Sequence, residues 1–126
     1  MTPQPGDIIA FLSPIAGKRK YHLHLGTDEH GAVLVFLFIN SRSRGADLVL
    51  ENSDLPMLPP NATGESCVGL SLLLRVRPER LAALQPQTMG SIGAALAARI
   101  ARAAAQSPAL TSAEKALAQR LLAAIR

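Results

Sequence analysis

The chain has 126 residues, a length typical of one domain with a single modest core. Its 13 basic and 9 acidic side chains give a net charge of +4, which is compatible with an anionic partner. The single cysteine, Cys67, excludes an internal disulfide framework and a cysteine-based metal cluster. The absence of Trp, with one Tyr and three Phe, argues against a broad aromatic platform for nucleic acid.

Neither a membrane span nor a leader peptide is expected from the sequence. The longest apolar run, residues 32–39, is far shorter than the roughly 20 residues that span a bilayer. Residues 1–5 are polar and lack the basic and apolar regions of a signal peptide. We therefore expect a soluble, cytoplasmic protein with no membrane partner.

The first strands are predicted from turn residues and from alternation. Residues 7–12 follow a Pro-Gly turn and are predicted to form a strand. Residues 13–20 form a loop that ends in three consecutive cations. Residues 21–26 alternate with period two, which predicts a half-buried strand with His22 and His24 together on one face.

The middle of the chain continues the β pattern. Residues 32–39 form a continuous apolar run typical of a strand that is buried on both faces. Residues 46–51 are predicted as a further strand, and the proline-rich stretch 52–65 as an irregular connection. Residues 67–76 are predicted as the last strand.

The remainder of the sequence is predicted to be helical. Residues 78–81 begin with Pro followed by Glu, as the first turn of a helix does. Residues 91–106 are rich in Ala with an apolar stripe, and residues 111–114 form a capping box before a final helix. The predicted class is α+β, mainly β, with a barrel domain at residues 1–81 and a helical extension at residues 82–126.

Several of these segments occur in an order that resembles the MazF/PemK family of toxin endoribonucleases. The matching segments are Gly6-Asp7-Ile8-Ile9, Gly17-Lys18-Arg19, Ile39-Asn40-Ser41 and the stretch from Ser66 to Leu81. The chain departs from the family where Lys20 replaces the proline that follows the turn arginine. The resemblance implies a small SH3-like barrel followed by C-terminal helices, packed on the barrel or on a dimer partner.

The resemblance also implies a reaction and its partners. Family members cleave single-stranded RNA without a metal ion or other cofactor, using the ribose 2′-hydroxyl as nucleophile. Arg19 would then supply the cation and the acid, because Arg stays protonated and its fork matches phosphate oxygens. Either Ser41 or Asn40 would bind the phosphate. The implied partners are a cognate antitoxin protein and a second copy of the chain in a homodimer.

Further candidate residues follow from residue type. His22 and His24 could act as general bases, although the polar face of an ordinary amphipathic strand is the simpler interpretation. Other cations are candidates for contacts with the RNA backbone, or else they only solubilise loops. They are Lys18, Lys20, Arg42, Arg44, Arg75 and Arg77.

Two alternative functions stay open at this level. One is a catalytically inactive SH3-like module that binds a protein or a nucleic acid with its basic rim. The other is a domain whose helical tail docks the helix of a partner.

Overall fold

A computed structural model describes residues 2–45 and 47–126. Within these residues the fold is α+β, with seven antiparallel strands and three helices. The strands are β1 (Asp7–Leu12), β2 (Arg19–Thr27), β3 (Leu34–Asn40), β4 (Leu48–Glu51), β5 (Glu65–Val68), β6 (Leu74–Val76) and β7 (Gln87–Ser91). The helices are α1 (Pro78–Ala83), α2 (Ala94–Ala105) and α3 (Ser112–Ala123), and a short 3-10 helix spans Asn52–Asp54.

The strands form one sheet in the order β4-β5-β3-β2-β1-β7, and β6 also pairs with β3. The predicted α+β class is therefore confirmed. Between the described strands no pairing joins β4 to β7, so the hydrogen-bonded order is that of an open sheet. The strand pairing therefore does not show the closed barrel that is expected from the sequence.

The last predicted strand, residues 67–76, is divided in two. Strand β5 pairs with the end of β3, at Ile39 and Asn40, whereas β6 pairs with the start of β3. Between them, residues 69–73 leave the strand pairing. The sequence does not reveal this break, because Leu70 and Leu73 are as buried as the strand residues, although Ser71 and Leu72 between them are exposed.

Strand β7 was not expected from the sequence. It lies inside the segment predicted as a helical extension and pairs with β1. Most of its residues are exposed or half-buried, so no alternation of apolar side chains marks it. The predicted strand at residues 46–51 begins at Ala46, which lies outside the described residues, and β4 itself begins at Leu48.

One face of the sheet packs against α2 and α3. Strand residues such as Ile8, Leu23 and Leu37 are buried there together with Ile100 and Leu122 from the helices. Gly26 allows α3 to approach β2, since a Cβ at this position would lie 3.1 Å from the Leu121 side chain. Its φ of +141° is also unfavourable for any other residue.

The predicted capping box at the start of α3 is confirmed. The amide of Glu114 donates to Thr111 Oγ1 at 3.1 Å, and the amide of Thr111 donates to Glu114 Oε1 at 2.9 Å. These bonds satisfy amides that the first turn of a helix leaves without partners. None of the helices in the described ranges has the length and apolarity needed to cross a membrane.

The opposite face of the sheet carries a second core, formed with α1. It contains Ile9, Phe11, Leu34, Phe36, Leu74, Val76 and Leu81. His22 and His24 lie on this face, with exposures of 0% and 2%. The interpretation of β2 as half-buried with a polar face is therefore wrong, because α1 and the aromatic side chains of β1 and β3 cover that face.

Candidate functional site

The pairing of β2 with β3 brings together the two segments that carry the candidate chemistry. Tyr21 lies opposite Ile39 in this antiparallel pair. Continuing the register places Lys20 opposite Asn40 and Arg19 opposite Ser41. Because successive side chains of a strand point to opposite faces, Arg19 and Ser41 share one face of the sheet. Lys20 and Asn40 share the other.

A cleft of about 470 Å³ opens at this end of the sheet. We call it the basic cleft. Its lining residues are Ala10, Lys18, Arg19, Lys20, Tyr21, Ile39, Asn40, Ser41, Gln87 and Met89. Five residues predicted from the sequence therefore surround one cavity, although they come from two segments about 20 residues apart.

The loop between β1 and β2 is ordered by Ser13 and positions the cations of the cleft. Ser13 Oγ accepts hydrogen bonds from the amides of Ile15 and Ala16, at 3.3 and 3.0 Å. Gly17 adopts a φ of +69°, which favours glycine, and its amide donates to the Ser13 carbonyl at 2.9 Å. The bend turns the chain so that Lys18 enters the rim of the cleft.

Arg19 is held at the cleft by two acceptors from the segment before and within β7. Its Nη1 donates to the Gln85 carbonyl at 2.8 Å, and its Nη2 donates to Gln87 Oε1 at 3.3 Å. Gln85 adopts a φ of 55°, which is uncommon for a residue with a side chain. Both acceptors are neutral, so Arg19 keeps its full positive charge and has further N–H donors for a ligand.

Lys20 lies at the boundary of the cleft. Its Nζ donates to Asn40 Oδ1 and lies 5.8 Å from the centre of the Phe38 ring. Partial burial lowers the pKa of Lys20, and the nearby charges of Lys18 and Arg44 lower it further. The contributions of Lys18 and Arg44 to this pKa shift come from positive charges close to Lys20.

Acidic side chains do not neutralise the cations of the cleft. In the part of the chain that the structure describes, no carboxylate lies within ion-pair distance of Lys18, Arg19 or Lys20. The cleft lining itself contains no Asp, Glu or His. A ligand with negatively charged oxygens would therefore gain the most from entering it.

The two histidines of β2 do not line the cleft. The ring of His22 stacks on Phe11 with 3.6 Å between ring centroids, and its Nδ1 lies 3.4 Å from the carbonyl of Ile9. His24 Nδ1 lies 2.9 Å from the carbonyl of Gln4. Burial lowers the pKa of His22 to about 4 and also lowers the pKa of His24. Both rings are therefore neutral at physiological pH.

The other predicted cations are distributed over three places. Arg44 lies in the loop after β3, where its amide donates to Asp47 Oδ2 at 3.0 Å, and Arg42 is exposed in the same loop. Arg75 lies near the opposite end of β3, with its Nη1 3.4 Å from Glu29 Oε1 and 3.9 Å from an Asp28 oxygen. Arg77 is exposed at the N-cap of α1. Of these residues, none lines the basic cleft.

Two lining residues with polar groups, Tyr21 and Gln87, were not predicted from the sequence. Tyr21 alternates with Leu23 and Leu25, which places it with the apolar face, and only its position at the strand's start exposes part of it to the cleft. Gln87 belongs to β7, whose exposed residues give no strand signal. A polar tip on an otherwise apolar strand face was the one available signal for Tyr21.

The described residues contain no group of three or more His, Cys, Asp or Glu side chains placed to hold a metal ion. No protein-family model matches the sequence, and no curated protein matches it significantly. The inference of function rests on the geometry of the basic cleft and on the motif resemblance of residues 5–81.

Proposed function

We propose that this chain is a MazF/PemK-like endoribonuclease that binds single-stranded RNA in the basic cleft and cleaves it without a metal ion. The observation that carries the proposal is the convergence of Lys18, Arg19 and Lys20 with Asn40 and Ser41 around one cleft. Arg and Lys beside a hydroxyl and an amide are suited to the oxygens of a phosphodiester.

The reaction is an attack of the ribose 2′-oxygen on the adjacent phosphorus, with loss of the 5′-oxygen of the next nucleotide. Lys20 lies beside Arg19 and adds positive charge at the phosphate, while solvent accepts the 2′-hydroxyl proton. Arg19 stabilises the charge of the phosphorane and gives a proton to the departing 5′-oxygen. Solvent then returns a proton to Arg19, and the product is a 2′,3′-cyclic phosphate.

Ser41 has a defined part in this assignment. The register places it opposite Arg19 on the same face of the sheet, where its hydroxyl can donate to a phosphate oxygen. Asn40 faces the other way and is engaged by Lys20. We therefore assign the phosphate contact to Ser41 and the positioning of Lys20 to Asn40.

The remaining family features belong to the same proposal. They are the SH3-like barrel, a homodimer, a role as the toxin of a toxin–antitoxin pair, and an antitoxin protein as partner. Expression of the protein should then arrest cell growth, and the acidic product of a neighbouring gene should relieve the arrest.

Cleavage of a labelled single-stranded RNA in the presence of EDTA tests the proposal directly. We expect cleavage with 2′,3′-cyclic phosphate ends, and no cleavage where the attacking 2′-hydroxyl is replaced by 2′-O-methyl. Ser41→Ala should slow cleavage about tenfold, the effect of losing one hydrogen bond to a charged group. An intact RNA at high protein concentration would overturn the proposal.

One observation favours a second candidate, a catalytically inactive module that binds an anionic partner. The cleft lining lacks His and carboxylate side chains, the usual general bases. In that case the wild-type protein would bind the 2′-O-methyl RNA and the unmodified RNA equally and would cleave neither.

A further inference from the structure

A second concavity of about 250 Å³ adjoins the basic cleft. We call it the side groove. Lys20 and Asn40 line both cavities, so their hydrogen-bonded side chains form the shared wall. The side groove is also lined by Ile15, Phe38, Arg44, Asp47, Gly69 and Leu72.

We propose that the side groove is a base-binding subsite for the nucleotide next to the phosphate held in the basic cleft. The inference rests on the proposed function and deepens it, because it names where a base of the RNA is recognised. Cleft and groove together would hold one phosphate and one adjacent unpaired base.

The walls of the side groove have the chemistry of a base-binding site. Ile15 and Leu72 are 63% and 37% exposed and give the groove two apolar surfaces. Phe38 is only partly buried and contributes an aromatic ring, on which bases stack readily. Arg44 and Asp47 lie at the same groove and offer a donor and an acceptor to the edge of a base.

Gly69 keeps the side groove open. It lies beside Phe38, and its amide donates to the Phe38 carbonyl at 2.8 Å. A Cβ at this position would lie 3.6 Å from both Asn40 Nδ2 and Phe38 Cβ, which is ordinary van der Waals contact. Alanine is therefore tolerated by the fold at this position, yet its methyl group occupies space between the shared wall and the aromatic ring.

Continuity with the cleft favours a base over a protein segment as the occupant. A ligand in the groove contacts Lys20 and lies within the same positive field as Lys18 and Arg44. The volume is below the roughly 300 Å³ of typical small-molecule pockets, which suits one base. An apolar peptide would gain nothing from these cations, whereas a base is covalently attached to the phosphate that they attract.

Chemical-shift mapping with ¹⁵N-labelled protein tests the inference. The probes are 2′-O-methyl dinucleotides, which cannot be cleaved, and matched dinucleotides with the 5′ or the 3′ base removed. Amides of Lys18 and Ser41 should respond to every probe. Amides of Ala16, Gly69 and Leu72 should respond to the intact dinucleotide and lose their response when one particular base is absent. Affinity should then fall about five- to hundredfold, as for loss of one stacked base.

Two variants, each with a matched control, test the side groove directly. Gly69→Ala should weaken binding of the intact dinucleotide and leave the affinity for the abasic probe unchanged. Leu72→Ser should do the same. The matched controls are Gly93→Ala, where nothing lies within 4 Å of the new methyl group, and Val49→Ser, a similarly exposed residue on β4. Neither control should change the binding of any probe.

The outcomes separate this inference from the function on which it rests. If the cleft amides respond but intact and abasic probes bind equally, the groove is not a base subsite and the proposed phosphate site stands. If Gly69→Ala and Leu72→Ser weaken the abasic probe as much as the intact one, the subsite is also overturned. If the cleft amides respond to none of the probes, both proposals fail.

Discussion

The beginning and the middle of β2 both carry basic residue types, but these residues lie in opposite environments. Arg19 and Lys20, at the start of the strand, line an open cleft and hold positive charge. His22 and His24, two to five residues further on, are buried in the second core and are neutral. Alternation alone places Lys20, His22 and His24 on one face. Position along the strand decides which of them meets solvent.

The cause is the extent of the covering layer. Phe11 and Phe36 enclose the imidazole of His22, and α1 packs on the same face through Leu81. Lys20 lies at the edge of this layer, where it is only half-buried and its Nζ lies 5.8 Å from the centre of the Phe38 ring. A charge at the strand's start is therefore solvated and available to a ligand. A charge in its middle would lose most of its hydration.

The largest effect that we predict is on the rate of RNA cleavage, with little change in the stability of the protein. Arg19→Ala should reduce the rate of RNA cleavage about 10²- to 10³-fold, the loss typical of removing a group that stabilises transition-state charge. Thermal stability should change little, because Arg19 is exposed and bonds only to neutral acceptors. Cleavage assays and thermal melts on the same preparation measure the two quantities.

Arg75→Ala is the matched control for this substitution. Arg75 is also an exposed strand arginine, but it lies near the other end of β3 and is paired with Asp28 and Glu29. Its removal should leave the cleavage rate within about twofold. Equal losses in the two variants would show that net charge, and not the cleft, governs the activity.

For the buried histidines we expect the opposite pattern: they affect the pH dependence of stability and leave the cleavage rate unchanged. The pKa of His22 falls from 6.5 to about 4 on folding, so the unfolded state binds more protons between these pH values. Stability should therefore be constant above about pH 6.5 and decline as the pH falls toward 4. The loss reaches about 3 kcal/mol for His22 alone, since each pKa unit corresponds to about 1.36 kcal/mol.

His22→Phe should flatten that pH dependence while the cleavage rate at pH 7 is retained. The substitution removes a titrating group and a buried Nε2 that has no hydrogen-bond partner. His24, whose pKa burial also lowers, would account for the slope that remains. A variant at His22 that keeps the full slope but loses cleavage would place the histidine in the site after all.

The motif resemblance grouped Arg19 with Asn40 and Ser41, although it did not show how the two segments meet. The antiparallel register of β2 and β3 brings these residues to one end of the sheet. Their function at that place stays a prediction. Local signals, such as the capping box at Thr111 and the apolar run of β3, were equally informative because they depend on adjacent residues.

Features that depend on distant parts of the chain could not be predicted in this way. The burial of His22 requires Phe11, Phe36 and α1 to cover one face of β2, and none of these is a sequence neighbour. Strand β7 is defined by its pairing with β1 and not by its own composition. The anchoring of Arg19 by residues 85 and 87 depends on that same pairing.

The smallest predicted effect concerns the salt dependence of RNA binding. Lys20 lies in the basic cleft beside Lys18 without a carboxylate partner among the described residues, so bound RNA should release a counterion at this position. For single-stranded nucleic acid each such contact contributes about 0.7 to the slope of log affinity against log salt concentration. Lys20→Gln should reduce the slope by about this amount when measured with uncleavable 2′-O-methyl RNA. Arg75→Gln should leave it unchanged, because two carboxylates already balance that charge. Equal changes in both slopes would mean that RNA also follows the far end of β3, and the basic cleft would then be only one part of a longer track.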